Sequence, residues 1–405
     1  MRRALLGLSL FALSLTAVAS ARAQDMPVFK VGVLNDQSGV YSDVTGFGSV
    51  EAAKMAVEDF KPEQHGFKVE VVAADHQNKP DIGTAIARKW FDQDGVDAIA
   101  DVPTSSVALA LSAIIKDKDK IFLNSGAGTS DLTGKACTPN NVHWTYDTWA
   151  LSNGTARAVI ANGGKTWYFL TADYAFGHAL ERDATEIIKS LGGSVLGHVL
   201  APFPTMDFSS FLVQAQASGA NIIALANAGG DTITSVKQAQ EFGITQAGQK
   251  LAGLLVFISD IHGMGLPVAK GLLLTEAFYW DLNDKTREWS KKLAARNNGK
   301  YPTMVHAGVY GAMIHWMKAI KEMDKKQAKS GAATVAKMKS MPTDDPLFGK
   351  GEIRVDGRHI HDMYLFQVKD PKESKGAYDY YKLVSTVPAD KAFRPLSEGG
   401  CSLVK

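Results

Sequence analysis

The stretch AIADVPTSSVALALSAII at 98–115 opens as the apolar run AIADV, breaks at Pro103-Thr104-Ser105-Ser106, and continues with apolar residues at helical spacing. One unit later, KIFL at 120–123 is followed by NSGAGTSDLTGK at 124–135, which holds three glycines, two serines and two threonines. Strand, small-residue loop and helix then extend in both directions. Apolar runs of strand length (FKVGVLND, VEVVAAD, TWYFLTAD, SVLGHVLA, NIIALANA, LAGLLVFISD, GLLLTEAFYW) alternate with amphipathic stretches such as SVEAAKMAVEDF, DIGTAIARKWFDQ, FGHALERDATEIIKSLG and SSFLVQAQASG. That pattern predicts parallel sheets covered on both faces by helices. It restarts after VHWTYDTWALSNGTARAVIANGG, so two doubly wound α/β units of similar build are expected. A chain of about 380 residues after processing is also longer than one ordinary core. In open parallel sheets ligands collect at the carboxyl ends of strands, where both hydroxyl-rich loops fall. Side by side they suit a small anion; each alone also fits ordinary helix N-capping.

The N-terminus sets an expected compartment. Arg2 and Arg3 precede an apolar stretch to about Val18, and Ala21-Arg22-Ala23 follows, the pattern of a signal peptide (1–23) cleaved after Ala23. The stretch is short for a membrane span, which needs about 20 apolar residues, and no cysteine near the cut offers a lipid anchor. The expected protein is therefore periplasmic and not membrane-anchored. Cleavage takes three arginines from 44 Lys+Arg and nothing from 42 Asp+Glu, leaving a balance of about −1. That argues against nucleic acid as a partner. Cys137 and Cys401 are expected to pair in an oxidising compartment, with an upper limit of roughly 4 to 5 kcal/mol from loop entropy.

Catalytic and cofactor motifs fail on spacing. NGGKT at 162–166 lacks the first glycine of a phosphate loop, Val159 standing in its place, and GFGSVE at 46–51 ends the dinucleotide pattern in Glu51. Neither G-x-S-x-G nor H-E-x-x-H occurs. His359 and His361 would share one face of an extended segment, as half a metal site or as a solvated strand face or hinge contact. The NGT triplet at 153–155 sits in a helical pattern. No enzyme, cofactor or metal is expected.

VGVLNDQSGVYSDVTGFGSVEAAKMAVEDF at 31–60, residues 84–115, NSGAGTSDLTG, DYAFGHAL at 173–180 and residues 207–243 together resemble the periplasmic binding proteins of branched-chain amino acid (leucine-binding) type ABC importers. The resemblance implies a type I clamp of two lobes joined by three hinge crossings, near Tyr146, at 276–280 and at 353–362, closing on ligand. It puts lobe 1 at 27–146 plus 281–355, lobe 2 at 147–277 plus 356–392, and a tail at 393–405. It further implies a monomeric receptor for a small carboxylate, serving an inner-membrane ABC permease. By that resemblance Thr104, Ser105, Ala127 and Thr129 grip the ligand carboxylate, Tyr174 or Phe176 adds an aromatic contact, and Asp260, or else Asp231, meets an ammonium group. Tyr41 and Asn227 follow strands and reach toward the cleft, while Trp144, Tyr146, Phe257, Tyr279 and Trp280 cluster near the crossings, Trp144 and Trp280 as packing. The expected ligand is a branched-chain or related amino acid; the alternatives are an aromatic carboxylate of benzoate or hydroxycinnamate type, and a sensing module for a signalling partner.

Overall fold

The computed structural model describes residues 26–405, and the leader expected at 1–23 lies outside them. β1 (Val28–Asn35), β2 (Lys68–Asp75), β3 (Ala98–Asp101), β4 (Ile121–Asn124) and β5 (Asn141–His143) form one sheet in the order β2-β1-β3-β4-β5. All four pairings are parallel. α1 (Gly46–Phe60), α2 (Pro80–Lys89) and α3 (Ser105–Asp117) are the crossovers. β3 and β4 are buried along their whole length, which is why they read as short unbroken apolar runs. Their register sets Asp101 beside Asn124, bringing the two hydroxyl-rich loops together. The strand order reverses direction between β1 and β3, where a crevice opens in such sheets.

The second lobe repeats the plan. α4 (Thr148–Ala161) leads into β6 (Thr166–Ala172), followed by α5 (Ala175–Ser190), β7 (Ser194–Ala201), α6 (Ser209–Ala217), β8 (Ile222–Ala226), α7 (Gly230–Glu241) and β9 (Lys250–Gly253). The sheet order is β7-β6-β8-β9, again parallel, with its own reversal between β6 and β8. Asn153 of the NGT triplet is buried within α4.

Two apolar runs depart from the reading as simple parallel strands. In LAGLLVFISD only the start pairs, as β9; Leu254 to Phe257 are buried by packing instead, and the chain turns into α8 (Ile258–Met264), which is followed by α9 (Leu266–Ala269). GLLLTEAFYW contains β10 (Leu273–Glu276), which pairs antiparallel with a strand from much later in the chain. An antiparallel strand buried on both faces carries the same apolar signature as a parallel one, so composition alone does not separate them.

From β10 the chain runs through α10 (Asp284–Arg296), α11 (Met304–Lys321) and α12 (Gly331–Lys339), then β11 (Thr343–Asp345), β12 (Gly349–Ile353) and β13 (His359–Ile360). α11 packs along α1; at Gly48 an added Cβ would come within 2.6 Å of the His306 ring, so only glycine allows that approach. The chain then returns as β14 (Met363–Val368) and β15 (Tyr381–Val387), which complete the antiparallel sheet β10-β14-β15, and ends in α13 (Ala389–Ala392) and the tail.

The crossing segments are packed against one another. His359 stacks on Trp144 with centroids 4.0 Å apart, and His361 Nε2 bonds the Thr145 carbonyl at 2.8 Å. Both histidines are buried, and burial with Arg358 nearby holds both below the usual imidazole range. The solvated strand face is thereby corrected to a dry hinge contact, and no metal-holding group of three ligands occurs among the described residues. Trp144 is packing, as expected.

The tail crosses back over this hinge. Phe393 lies under the Arg358 guanidinium at 4.7 Å, Arg394 pairs with buried Asp183 of α5 at 2.6 Å, and Cys401 is bonded to Cys137. The expected disulfide is present and returns the chain end to the first lobe. A Cys401→Ser variant is predicted to lose roughly 2 to 4 kcal/mol of stability, read as a thermal midpoint lowered by several degrees that reducing agent does not lower further.

Candidate ligand-binding site

Three loops from the first lobe meet at the crevice. After β1, the Asp36 carboxylate accepts the Gly39 and Tyr41 backbone N–H groups at 2.7 and 2.8 Å and the Asn78 amide at 2.6 Å. That carboxylate fixes the loop presenting Tyr41. After β3, Asp101 and Val102 have φ of 78° and 56°, two successive non-glycine residues in a sparsely allowed region, of a kind that persists where surroundings over-determine it and clusters at functional sites. Asp101 is buried, accepts the Asn35 amide at 3.1 Å, and is pushed by burial to about 7. The bend swings Pro103 onto the cavity wall and starts α3, whose N-cap residue Thr104 makes no side-chain cap bond.

After β4, Asn124 clamps Ala127 from both sides, accepting its N–H at 3.0 Å and donating to its carbonyl at 3.1 Å. Thr129 N–H donates to Ser105 Oγ at 3.2 Å, and Thr129 Oγ1 accepts from Asp131 N–H at 3.3 Å. The Thr104 hydroxyl donates to Asn78. The side-chain oxygens of Thr104, Ser105 and Thr129 thus each bond a group of the protein, the Ser105–Thr129 contact joining the two loops, and the Ala127 backbone is held by Asn124. The wall itself is Pro103, Gly126 and Gly128, each adjacent to an expected residue. Gly128 has to be glycine: an added Cβ would stand 2.9 Å from Phe176 and 3.2 Å from Tyr146.

The second lobe supplies the opposite wall. Tyr174 and Phe176 follow β6, Ala228 follows β8, and Leu255 and Phe257 come from the run after β9. With Tyr41, Val44 and Tyr146 they line a tight crevice of about 10 Å³, room for about one water molecule. The lobes touch directly around this space. Gly230 N–H donates to the Val40 carbonyl at 3.1 Å, the Tyr41 and Tyr174 hydroxyls are 2.6 Å apart, and Phe203 stacks on both rings at 5.4 and 4.3 Å.

Of the expected residues, Tyr41, Tyr146, Tyr174 and Phe176 lie on the wall. Asn227 is just behind it, its amide bonded to Thr232 and Ser235. Tyr279 is elsewhere, with its hydroxyl on the Tyr378 carbonyl at 3.0 Å in the core of the second lobe. Asp260 caps the start of α8, its carboxylate accepting Phe257 N–H at 2.9 Å, and Asp231 opens α7 and accepts Thr205 N–H at 3.3 Å. Neither acid lines the cavity, and burial pushes both to about 7. Val44, Ala228 and Leu255 are wall residues that sequence alone gives no reason to separate from core.

A two-lobed clamp with strand-end loops facing each other across one small cavity defines a solute-binding receptor. The family model described as periplasmic binding protein matches residues 28–377. This chain belongs to that family, whose members bind small molecules and work with ABC permeases. A periplasmic binding protein from Burkholderia mallei shares 46% identity, with a TM-score of 0.90 over 93% of this chain and 99% of that one. A branched chain amino acid ABC transporter periplasmic ligand-binding protein from Burkholderia xenovorans shares 38%, with a TM-score of 0.82 over 93% and 100%. A solute binding protein of an ABC transporter from R. palustris, in complex with benzoate, has the same fold at 19% identity, with a TM-score of 0.80 over 93% and 99%. Among the described residues no helix is long and apolar enough to cross a membrane.

The buried acids make a pH prediction. Asp260 titrates near 3.8 when unfolded and about 7 when folded, so the fold favours its protonated form. Its contribution is present below about pH 4 and is lost as pH rises toward 7, at no more than about 1.4 kcal/mol per pH unit. An Asp260→Asn variant should therefore gain stability relative to wild type between pH 4 and 7, measured by denaturant unfolding at each pH.

Proposed function

We propose that this protein is an exported receptor that closes on a small aromatic carboxylate in the periplasm and delivers it, as a monomer, to an inner-membrane ABC importer. The observation that carries the reading is the cavity wall: five aromatic rings (Tyr41, Tyr146, Tyr174, Phe176 and Phe257), and no acidic side chain among the described residues that line it. An amino acid needs a partner for its ammonium group, and Asp231 and Asp260 stand behind the wall, each accepting from backbone. Aromatic walls with a few placed polar groups suit a flat apolar ligand with one charged end.

The charged end has a seat in the first lobe. The first-turn N–H groups of α3 have no intrahelical partners, Thr104 leaves them uncapped by its side chain, and a helix N-terminus favours an anion. Pro103 and Gly128 bring this helix start and the backbone after β4 to the cavity. The benzoate complex of a protein with this fold is compatible with the reading. A second reading, a leucine-type amino acid, is favoured by the description of the 38% identical relative.

A thermal-shift and calorimetric screen against benzoic, cinnamic and leucine-type ligands separates the two. At about 1 mM, a ligand of micromolar affinity stabilises by roughly 4 kcal/mol. Aromatic acids are expected to give that shift and leucine none; the reverse overturns the proposal. A Gly128→Ala variant, which crowds Phe176 and Tyr146, should fold normally by circular dichroism and bind the same acid about tenfold or more weaker.

A further inference from the structure

Tyr41 and Tyr174 come from opposite lobes and meet over the cavity with hydroxyl oxygens 2.6 Å apart. Each phenol has one donor proton and acceptor lone pairs. Their mutual bond uses one proton and one lone pair, whichever ring donates, so the pair retains one free donor and spare acceptors. Neither hydroxyl bonds any other group among the described residues. Elsewhere on the wall the polar side chains are spent: the Tyr146 hydroxyl donates to the Gly126 carbonyl at 2.6 Å, and the remaining lining side chains are hydrocarbon or glycine. The free donor is therefore the one hydroxyl proton on this wall without a protein acceptor.

Phe203 stacks on both rings and keeps them from turning away. Burial holds both phenols above their usual range, with the charge of Asp231 adding to the effect, so the donor proton persists at neutral pH. A ligand with bare ring edges would leave this donor unpaired, at a cost of roughly 1 to 3 kcal/mol for a buried group. A ligand hydroxyl accepts from it and donates back to a tyrosine oxygen.

We propose that the Tyr41–Tyr174 hydroxyl pair is a specificity element selecting aromatic acids that carry a ring hydroxyl over those with a bare ring; the inference rests on the aromatic-carboxylate reading above. The pair spans the two lobes and assembles only on closure, so the selection acts on the closed state.

The test is calorimetric affinity for benzoate, for 2-, 3- and 4-hydroxybenzoate, and for leucine, on wild type and on the double variant Tyr41→Phe/Tyr174→Phe, because either phenol alone would keep a free donor; the double variant keeps both rings and their stacking. At least one hydroxybenzoate is expected to bind wild type about tenfold or more tighter than benzoate. In the double variant that ratio should fall to within about threefold, whatever common change in affinity the lost inter-lobe bond brings to all four acids. Equal binding of all four aromatic acids by wild type, or a ratio retained in the double variant, overturns the specificity role and leaves the aromatic-carboxylate reading standing. Binding of leucine with no aromatic acid bound overturns both.

Discussion

A guanidinium with no access to water holds the hinge together. Arg358 donates to the Tyr146 carbonyl at 2.8 Å and the His359 carbonyl at 3.0 Å, sits 3.6 Å from the Asp147 carboxylate, and lies over Phe393. Burial lowers its pKa only to about 10, so it stays charged at neutral pH and needs these acceptors. Removing one partner of such a buried pair typically costs about 3 to 5 kcal/mol, because the other charge is left stranded. One side chain thus ties the first crossing to the third and to the tail, and the carbonyl it holds belongs to Tyr146, whose ring walls the cavity.

From that anchor the site follows by geometry. Each parallel sheet has one reversal of strand order, and the loops beside the two reversals face each other across the cleft. The first lobe contributes backbone, at the α3 start, Gly126 and Gly128, together with the Tyr41 and Tyr146 rings. The second contributes the Tyr174, Phe176 and Phe257 rings. Polar side chains on the first-lobe loops are consumed in shaping them, as the Asn124 clamp on Ala127 and the Ser105–Thr129 bond illustrate. What the loops after β3 and β4 leave toward the cavity is proline, glycine and peptide, whose N–H groups can meet an anion without the side-chain entropy that a lysine or arginine would lose on binding.

The sequence made the alternation of strand and helix legible, because strands buried on both faces have to be short and apolar. It did not reveal that β10 runs antiparallel, or that Leu254 to Phe257 are covered by packing without pairing, since burial is all that composition records. Tyr41, Tyr146, Tyr174 and Phe176 were legible as cleft residues because they follow strand ends or sit at a crossing. Thr104, Ala127 and Thr129 are one position away from the wall residues Pro103, Gly126 and Gly128, and Ser105 is two away. A hydroxyl in a loop looks like a donor for ligand, yet here its oxygen bonds other groups of the fold, and the glycine or proline nearby turns inward. Asp260 illustrates the same limit: an acid three residues into a short helix reads as a ligand partner until its bond to the Phe257 N–H is seen.

The Cys137–Cys401 bond closes a covalent ring 264 residues in sequence separation. That ring includes the whole of the second sheet and every segment that passes between the lobes. A protease that severs any one hinge strand, or any exposed loop within the ring such as 369–379, therefore leaves a single molecule, with both pieces held by sulfur. Nicking and dissociation are separate events in this protein, and losing a lobe takes a second cut or a reductant.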